Sequence, residues 1–155
     1  MNSLVHQIIS GGQTGVDRAA LDFALSQKIP CGGYCTAGRI AEDGRIPDHY
    51  PLRDTETAEY AERTEKNVQT ADGTLIIYTG SMSGGTQFTY LCAKSAGKPL
   101  FTCDLDQPIP VRRFQNWIRE KRIHTLNIGG PRESQQPGIY TRTVETLARL
   151  FSAAR

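Results

Sequence analysis

Short apolar runs alternate along the chain with longer segments whose apolar residues recur at helical spacing. Residues 4–9 read as a strand. Residues 16–28 read as a helix with Ala20, Leu21, Ala24 and Leu25 on one face. A short strand is expected over 29–33 and a charge-rich helix over 55–71. Residues 74–78 show no polar alternation, as expected of a strand covered on both faces. A helix over 85–97 and a strand over 99–103 follow. The next helix, 109–122, places Val111, Phe114, Trp117 and Ile118 inward. The last strand is 124–128. The last helix is 139–154, with Val144, Leu147 and Phe151 inward. Only residues 34–54 have few apolar positions and no period. That stretch is too long for an idle connection and reads as a binding loop or lid.

This alternation predicts an α/β fold in one domain spanning residues 1–155. It would be Rossmann-like and doubly wound, with a mainly parallel sheet of about five strands and helices on both faces. The strand-to-helix turns of such a sheet fall on its carboxyl edge, where ligands bind.

Three apolar runs break on paired glycines at that edge. The first turn is Ser10, Gly11, Gly12, Gln13, Thr14 and Gly15. The second includes Ser83, Gly84, Gly85 and Thr86. The third is Gly129, Gly130, Pro131 and Arg132. Glycine allows sharp turns and close approach of a ligand to the backbone. A helix beginning just after such a turn presents unpaired N–H groups and partial positive charge. Each turn is therefore a candidate anion seat. A plain tight turn with Thr14 as N-cap accounts for the first equally well; the recurrence after a second strand favours binding. Arg132 can hold an oxyanion bidentately or stand as a solvated loop charge. In the long segment Arg39 and Arg45 can fold over an anion, or pair with Glu42 and Asp43. Arg63 and Asn67 share a helix face, on a helix that i,i+4 ion pairs also explain.

Composition narrows the classes. Net charge is +2, from 18 basic and 16 acidic side chains, which argues against nucleic acid and against a membrane surface as partner. The basic group of Arg112, Arg113, Arg119, Lys121 and Arg122 reads as a solvated helix face. The start of the chain lacks a basic-plus-apolar leader and no apolar run approaches membrane-spanning length, so a cytoplasmic protein is expected. Cys31, Cys35, Cys92 and Cys103 give no disulfide framework, and Cys31 and Cys35 lack further zinc ligands at workable spacing. The three histidines form no catalytic motif with the serines of the turns. No catalytic residue and no metal site is expected.

With these residues in hand, the chain resembles the molybdenum carrier family, the molybdenum-cofactor carrier proteins. The resemblance runs through residues 10–21, 38–44, 63–68, 72–77, 83–86 and 127–132. It implies a Rossmann-like fold, a homo-oligomer, and binding of the molybdenum cofactor, molybdate or a related oxyanion. It implies ligand-binding roles for Arg39, Arg63 and Asn67 beyond what spacing supports, and molybdoenzymes as acceptors of the cofactor. The wider superfamily includes LOG-type nucleotide phosphoribohydrolases and DNA-processing proteins. Those hydrolases carry a catalytic glutamate after their glycine turn, and Thr89 stands at that place here. The expected function is a non-catalytic carrier for a small anionic ligand. The alternatives are a LOG-type nucleotide hydrolase and a nucleotide-sensing module.

Overall fold

The computed structural model describes residues 3–153. Its centre is a five-stranded sheet. The strands are β1 (Gln7–Ile9), β2 (Cys31–Gly32), β7 (Gly73–Tyr78), β8 (Leu100–Asp104) and β9 (Thr125–Gly129), in the order β2-β1-β9-β7-β8 and all parallel. Between β2 and β7, residues 34–54 hold four two-residue strands in two small sheets. β3 (Tyr34–Cys35) pairs with β6 (Arg53–Asp54), and β4 (Ile40–Ala41) pairs with β5 (Gly44–Arg45).

The helices form two layers. α1 (Val16–Ser26) packs on α5 (Ile139–Leu150), which packs on α4 (Val111–Glu120). On the other side α2 (Tyr60–Thr70) packs on α3 (Gly84–Ser95). The fold is thus an α/β, Rossmann-like arrangement with helices on both faces of a parallel sheet.

Strand alternation divides the interior unequally. Ile8, Leu75, Ile77, Leu126 and Ile128 join Phe114, Ile118, Leu147 and Leu150 in the main core under α1, α4 and α5. A row across the opposite face runs Ile9, Asn127, Thr74. There the Asn127 side-chain amide donates to Thr74 Oγ1 at 3.3 Å. A second, small cluster of Leu21, Cys35, Ala41, Ile46 and Tyr50 fastens the 34–54 segment to α1.

The elements differ from the expected ones mainly at their ends. Leu25 is exposed, and Phe23 takes its expected inward place on α1. The helix expected from residue 55 begins at Tyr60. Before it, the Glu62 carboxylate captures the Thr57 amide at 2.8 Å and its hydroxyl at 3.0 Å, which holds 55–59 in an irregular turn. The cap of α1 is Gly15, at φ 79°, and not Thr14. Residue 154 of the last expected helix lies outside the described residues; α5 ends at Leu150 with Leu147 and Leu150 buried and Val144 half-buried. The basic side chains of α4 are exposed, as a solvated face requires. Among the described residues, no helix is long and apolar enough to cross a membrane.

Candidate functional site

Parallel strands put the turns after β1, β7 and β9 on one edge. A cavity of about 430 Å³ opens there, between α2 and α3. Its size is within the usual range for small-molecule sites. The cavity gathers Gly11 and Gln13 from the first turn, Gly84, Gly85 and Thr86 from the second, and Gly130 and Arg132 from the third. α2 contributes Arg63 and Asn67. Gly12, Thr14, Gly15, Arg39 and Ser83 do not line it.

The first turn is filled from inside the chain. The Gly12 amide donates to Ser10 Oγ at 3.4 Å, the Thr14 amide to Gln13 Oε1 at 3.0 Å, and the Val16 amide to the Pro131 carbonyl at 3.2 Å. The Asp17 carboxylate accepts from the Gly11 and Gln13 backbones and from Arg63 Nη1, at 3.2 Å from Oδ2. Asp17 is thus a resident anion in the first of the expected seats. Its partner lies directly on the turn: a Cβ on Gly11 would stand 2.3 Å from Arg63 Nη1. Burial pushes the Asp17 carboxyl up from its ordinary range, and this outweighs the opposing pull of Arg63, the two backbone bonds and Arg18.

The second turn is open. Ser83 caps α3 through its backbone alone. Among the described residues no protein acceptor takes the amides of Gly84, Gly85 or Thr86. These orphan donors, at the positive end of a twelve-residue helix, face the cavity. Across from them Arg63 Nε is buried with no hydrogen-bond partner. The Tyr60 ring lies 5.1 Å from the Arg63 guanidinium carbon and joins the wall.

The third turn packs backbone against backbone. A Cβ on Gly130 would stand 2.1 Å from the Ile77 carbonyl, and one on Gly15 2.4 Å from the Pro131 carbonyl. At the rim Arg132 Nε lies 3.5 Å from Glu42 Oε2 and makes no hydrogen bond. Glu42 also accepts from the Thr14 hydroxyl, the Ser134 amide at 3.2 Å and the Ser134 hydroxyl at 2.5 Å. Burial raises the Glu42 carboxyl, but the bonds from Ser134 and Thr14, with Arg132, outweigh it and hold the group below its usual range.

Two of the candidate side chains are taken up by the fold. Arg39 donates to the carbonyls of Ile46, Pro47, Tyr50 and Leu52 at 2.6–3.3 Å, so it holds the 34–54 segment together and stands away from the cavity. Asn67 lines the cavity, yet its amide clamps the Tyr34 backbone, donating at 3.0 Å and accepting at 2.8 Å. Gly12 faces Leu52 and Ile46.

The cavity also contains residues that the sequence reading passed over: Asp17, Tyr60, Thr64, Phe88, Asn127 and Gln135. Three had a visible signal. Tyr60 and Thr64 share the helical face of Arg63 and Asn67. Asn127 lies between two core residues of a strand and must point to the other side of the sheet. Thr89, the residue at the hydrolase glutamate position, lines the cavity and returns its hydroxyl to the Gly85 carbonyl at 3.0 Å. The four cysteines are free and none lines the cavity.

Similarity to known proteins agrees with this layout. A crystal structure of a protein named putative molybdenum carrier protein, from Syntrophus aciditrophicus SB, superposes with a TM-score of 0.92 at 42% identity, covering 98% of each chain. An (E)-4-hydroxy-3-methyl-but-2-enyl diphosphate reductase matches with a TM-score of 0.39 at 11% identity, over 94% of this chain and 59% of that one; this likeness carries no argument. No curated protein matches the chain. Residues 8–151 match the circularly permutated YpsA SLOG family, and the chain belongs to that family.

Proposed function

We propose that this protein is a carrier that holds the molybdenum cofactor, or a related phosphate or oxyanion ligand, in the cavity between α2 and α3. One observation carries the reading. The amides of Gly84, Gly85 and Thr86, which no protein group accepts from, and the Arg63 side chain belong to residues that line one hollow, on α3 and on α2. Gly84 and Gly85 are exposed and Thr86 is buried, so their amides are open to an anion entering the hollow, and an oxyanion would accept from them at the positive end of α3. The name of the Syntrophus aciditrophicus relative supports molybdenum as the cargo.

The donor set fits a phosphorylated ring better than a bare metal. No group of three metal-ligating side chains occurs among the described residues. The wall instead offers amides, hydroxyls, arginine, and the rings of Tyr60 and Phe88. The protein's contribution is to bind the anionic end, flank the ring and keep water from a ligand that hydrolyses readily. On this reading the protein works as a homo-oligomer in the cytoplasm and passes its ligand to molybdoenzymes.

The test is native mass spectrometry with molybdenum cofactor released from a molybdoenzyme, beside titration calorimetry with the Gly85→Glu variant. A Cβ at Gly85 meets open space, and an acidic residue suits the first turn of a helix, so this variant should fold normally. Its added charge should abolish ligand binding. Failure of the wild-type protein to retain cofactor at micromolar concentration would overturn the proposal.

A nucleotide-processing hydrolase is the second reading. It is favoured by one observation: a carboxyl group, Asp17, lies in the cavity beside an arginine. Release of ribose phosphate from AMP would support it. Loss of that activity in Asp17→Asn, with cofactor binding absent, would establish it over the carrier.

A further inference from the structure

Asp17 is the one carboxyl group among the described residues that line the cavity. Its side chain is 10% exposed. Oδ2 is engaged by Arg63. Oδ1 faces Gly129: a carbon added to Gly129 would stand 3.9 Å from Oδ1 and 3.7 Å from Thr89 Cγ2. Oδ1 and the Thr89 methyl therefore border the same part of the cavity, above Gly129. An oxyanion held by the α3 amides and the Arg63 side chain would bring its own oxygens toward this carboxylate. Two bare anionic oxygens repel strongly where water is excluded. One proton shared between them turns the repulsion into a charge-assisted hydrogen bond.

We propose that Asp17 makes this corner a seat for an oxyanion that carries a proton, such as a phosphate or phosphate monoester, and a poor seat for fully deprotonated oxyanions such as molybdate and sulfate. The inference rests on the carrier reading and deepens it: the phosphate end of the ligand, not its molybdenum end, meets Asp17. A phosphate monoester keeps its second proton up to about pH 6. Molybdate and sulfate hold none near neutrality. The charged groups facing Asp17 are Arg63 from α2 and Arg18 on its own helix, with the backbones of Gly11 and Gln13. β9 brings Gly129 and α3 brings Thr89, neither of which titrates. Arg132 and its partner Glu42 stand at the rim. The upward push of burial on the Asp17 carboxyl acts in the same direction, since Asp17 can itself supply the shared proton. Binding of an anion that arrives without a proton therefore strengthens as pH falls.

The experiment is titration calorimetry of the wild-type protein and Asp17→Asn with inorganic phosphate and with molybdate. It is run at pH 6 and pH 8, in two buffers of different ionisation enthalpy, so that proton uptake is counted directly. The wild type should prefer phosphate by about tenfold or more; inorganic phosphate keeps a proton across this range and should bind with little uptake, whereas molybdate should bind only with uptake of a proton and more weakly at pH 8 than at pH 6. Asp17→Asn, whose amide can donate to an anion, should lose the pH dependence and bind molybdate as well as phosphate. Equal wild-type affinity for the two anions, or tight molybdate binding without proton uptake, would overturn the inference and leave the carrier reading standing. Absence of binding by either anion at millimolar concentration would also overturn it, and the carrier reading would then be decided by the cofactor measurement. The wild-type proton count needs no variant, so poor folding of Asp17→Asn leaves a decisive result.

Discussion

Leu75, Ile77, Leu126 and Ile128 point to one side of the sheet and meet Phe114, Ile118 and Leu147. Thr74, Asn127 and Gly129, adjacent to them in sequence, point to the other side, where Thr74 and Asn127 bond to each other and Gly129 lies below Thr89. One face is sealed by apolar packing; the other mixes buried Ile9 and Ile76 with polar residues and is partly hollow. The turns at the carboxyl edge repeat this division. The first turn is occupied by Asp17 and packed against the third, whereas the start of α3 keeps its donors free. Close apolar packing and the cavity thus lie on different sides of the same strands.

The largest expected effect comes from breaking the sealed face. Phe114 is fully buried against Phe101, Trp117 and Phe151. Phe114→Ala should cost about 4 kcal/mol in urea unfolding. Molecules that remain folded should bind ligand with little change, because Phe114 is on the far side of the sheet. A large loss of affinity at unchanged folded fraction would show that the two faces are coupled. Next comes the ion pair that fills the first turn. Arg63→Met leaves Asp17 buried without its cation and should cost about 3 kcal/mol at pH 7. Asp17 already has a raised folded-state value, and losing Arg63 raises it further. The ionised carboxylate then opposes folding above that value. Stability of the variant should recover as pH falls through it. A deficit that is the same at pH 5 and pH 8 would contradict a resident charge in that turn.

These contrasts were unevenly legible beforehand. The run of β7 was readable because a strand covered on both faces must be apolar throughout. The polar row at Asn127 and Thr74 follows from period-two alternation, yet its importance depends on register between strands far apart in sequence. The 34–54 segment had no period to read. It is held by the Arg39 guanidinium on four carbonyls and by Tyr50 on Asp22 at 2.7 Å, bonds that no local pattern encodes. Arg39 read as an anion clamp for that reason: a sequence shows the charge and hides the carbonyls that surround it. In sequence Asp17 stands in the first turn of α1, where a negative charge is favourable whatever it touches. Its actual partner is 46 positions away. The glycine pairs marked the edge correctly as turns, but could not reveal which amides the chain itself would use.

A matched pair of glycine substitutions separates the filled turn from the open one. In Gly11→Ala the new methyl would meet Arg63 Nη1 at 2.3 Å and its Cδ at 2.7 Å, with the guanidinium already held by Asp17. The expected cost is about 2 kcal/mol. In Gly85→Ala the methyl meets nothing within 4 Å, and stability should change by no more than about 0.5 kcal/mol. Thermal unfolding of both variants checks the difference. Equal destabilisation would mean that the two turns are packed alike.

The smallest effect is local and reads the filled side alone. The β4–β5 hairpin is latched to the first and third turns. The Glu42 amide donates to Gln13 Oε1 at 2.9 Å, its carboxylate accepts from Thr14 and Ser134, and Asp43 pairs with Arg18 at 2.7 Å. The hydrogen bond and charge of Arg18 hold the Asp43 carboxyl below its ordinary range, as the bonds described above do for Glu42. Groups with depressed folded-state values stabilise fully above their ordinary range, near about pH 4, and lose that contribution as pH falls through the depressed values. Amide exchange over residues 40–45, corrected for its intrinsic pH dependence, should therefore accelerate below that range while α3 amides from Phe88 onward stay protected. The filled turn depends on charges that acid removes. The start of α3 depends on backbone donors that do not titrate, so acid should loosen the first before it alters the second. Simultaneous loss of protection at both places would mean that the hairpin latch and the open helix end belong to one cooperative unit.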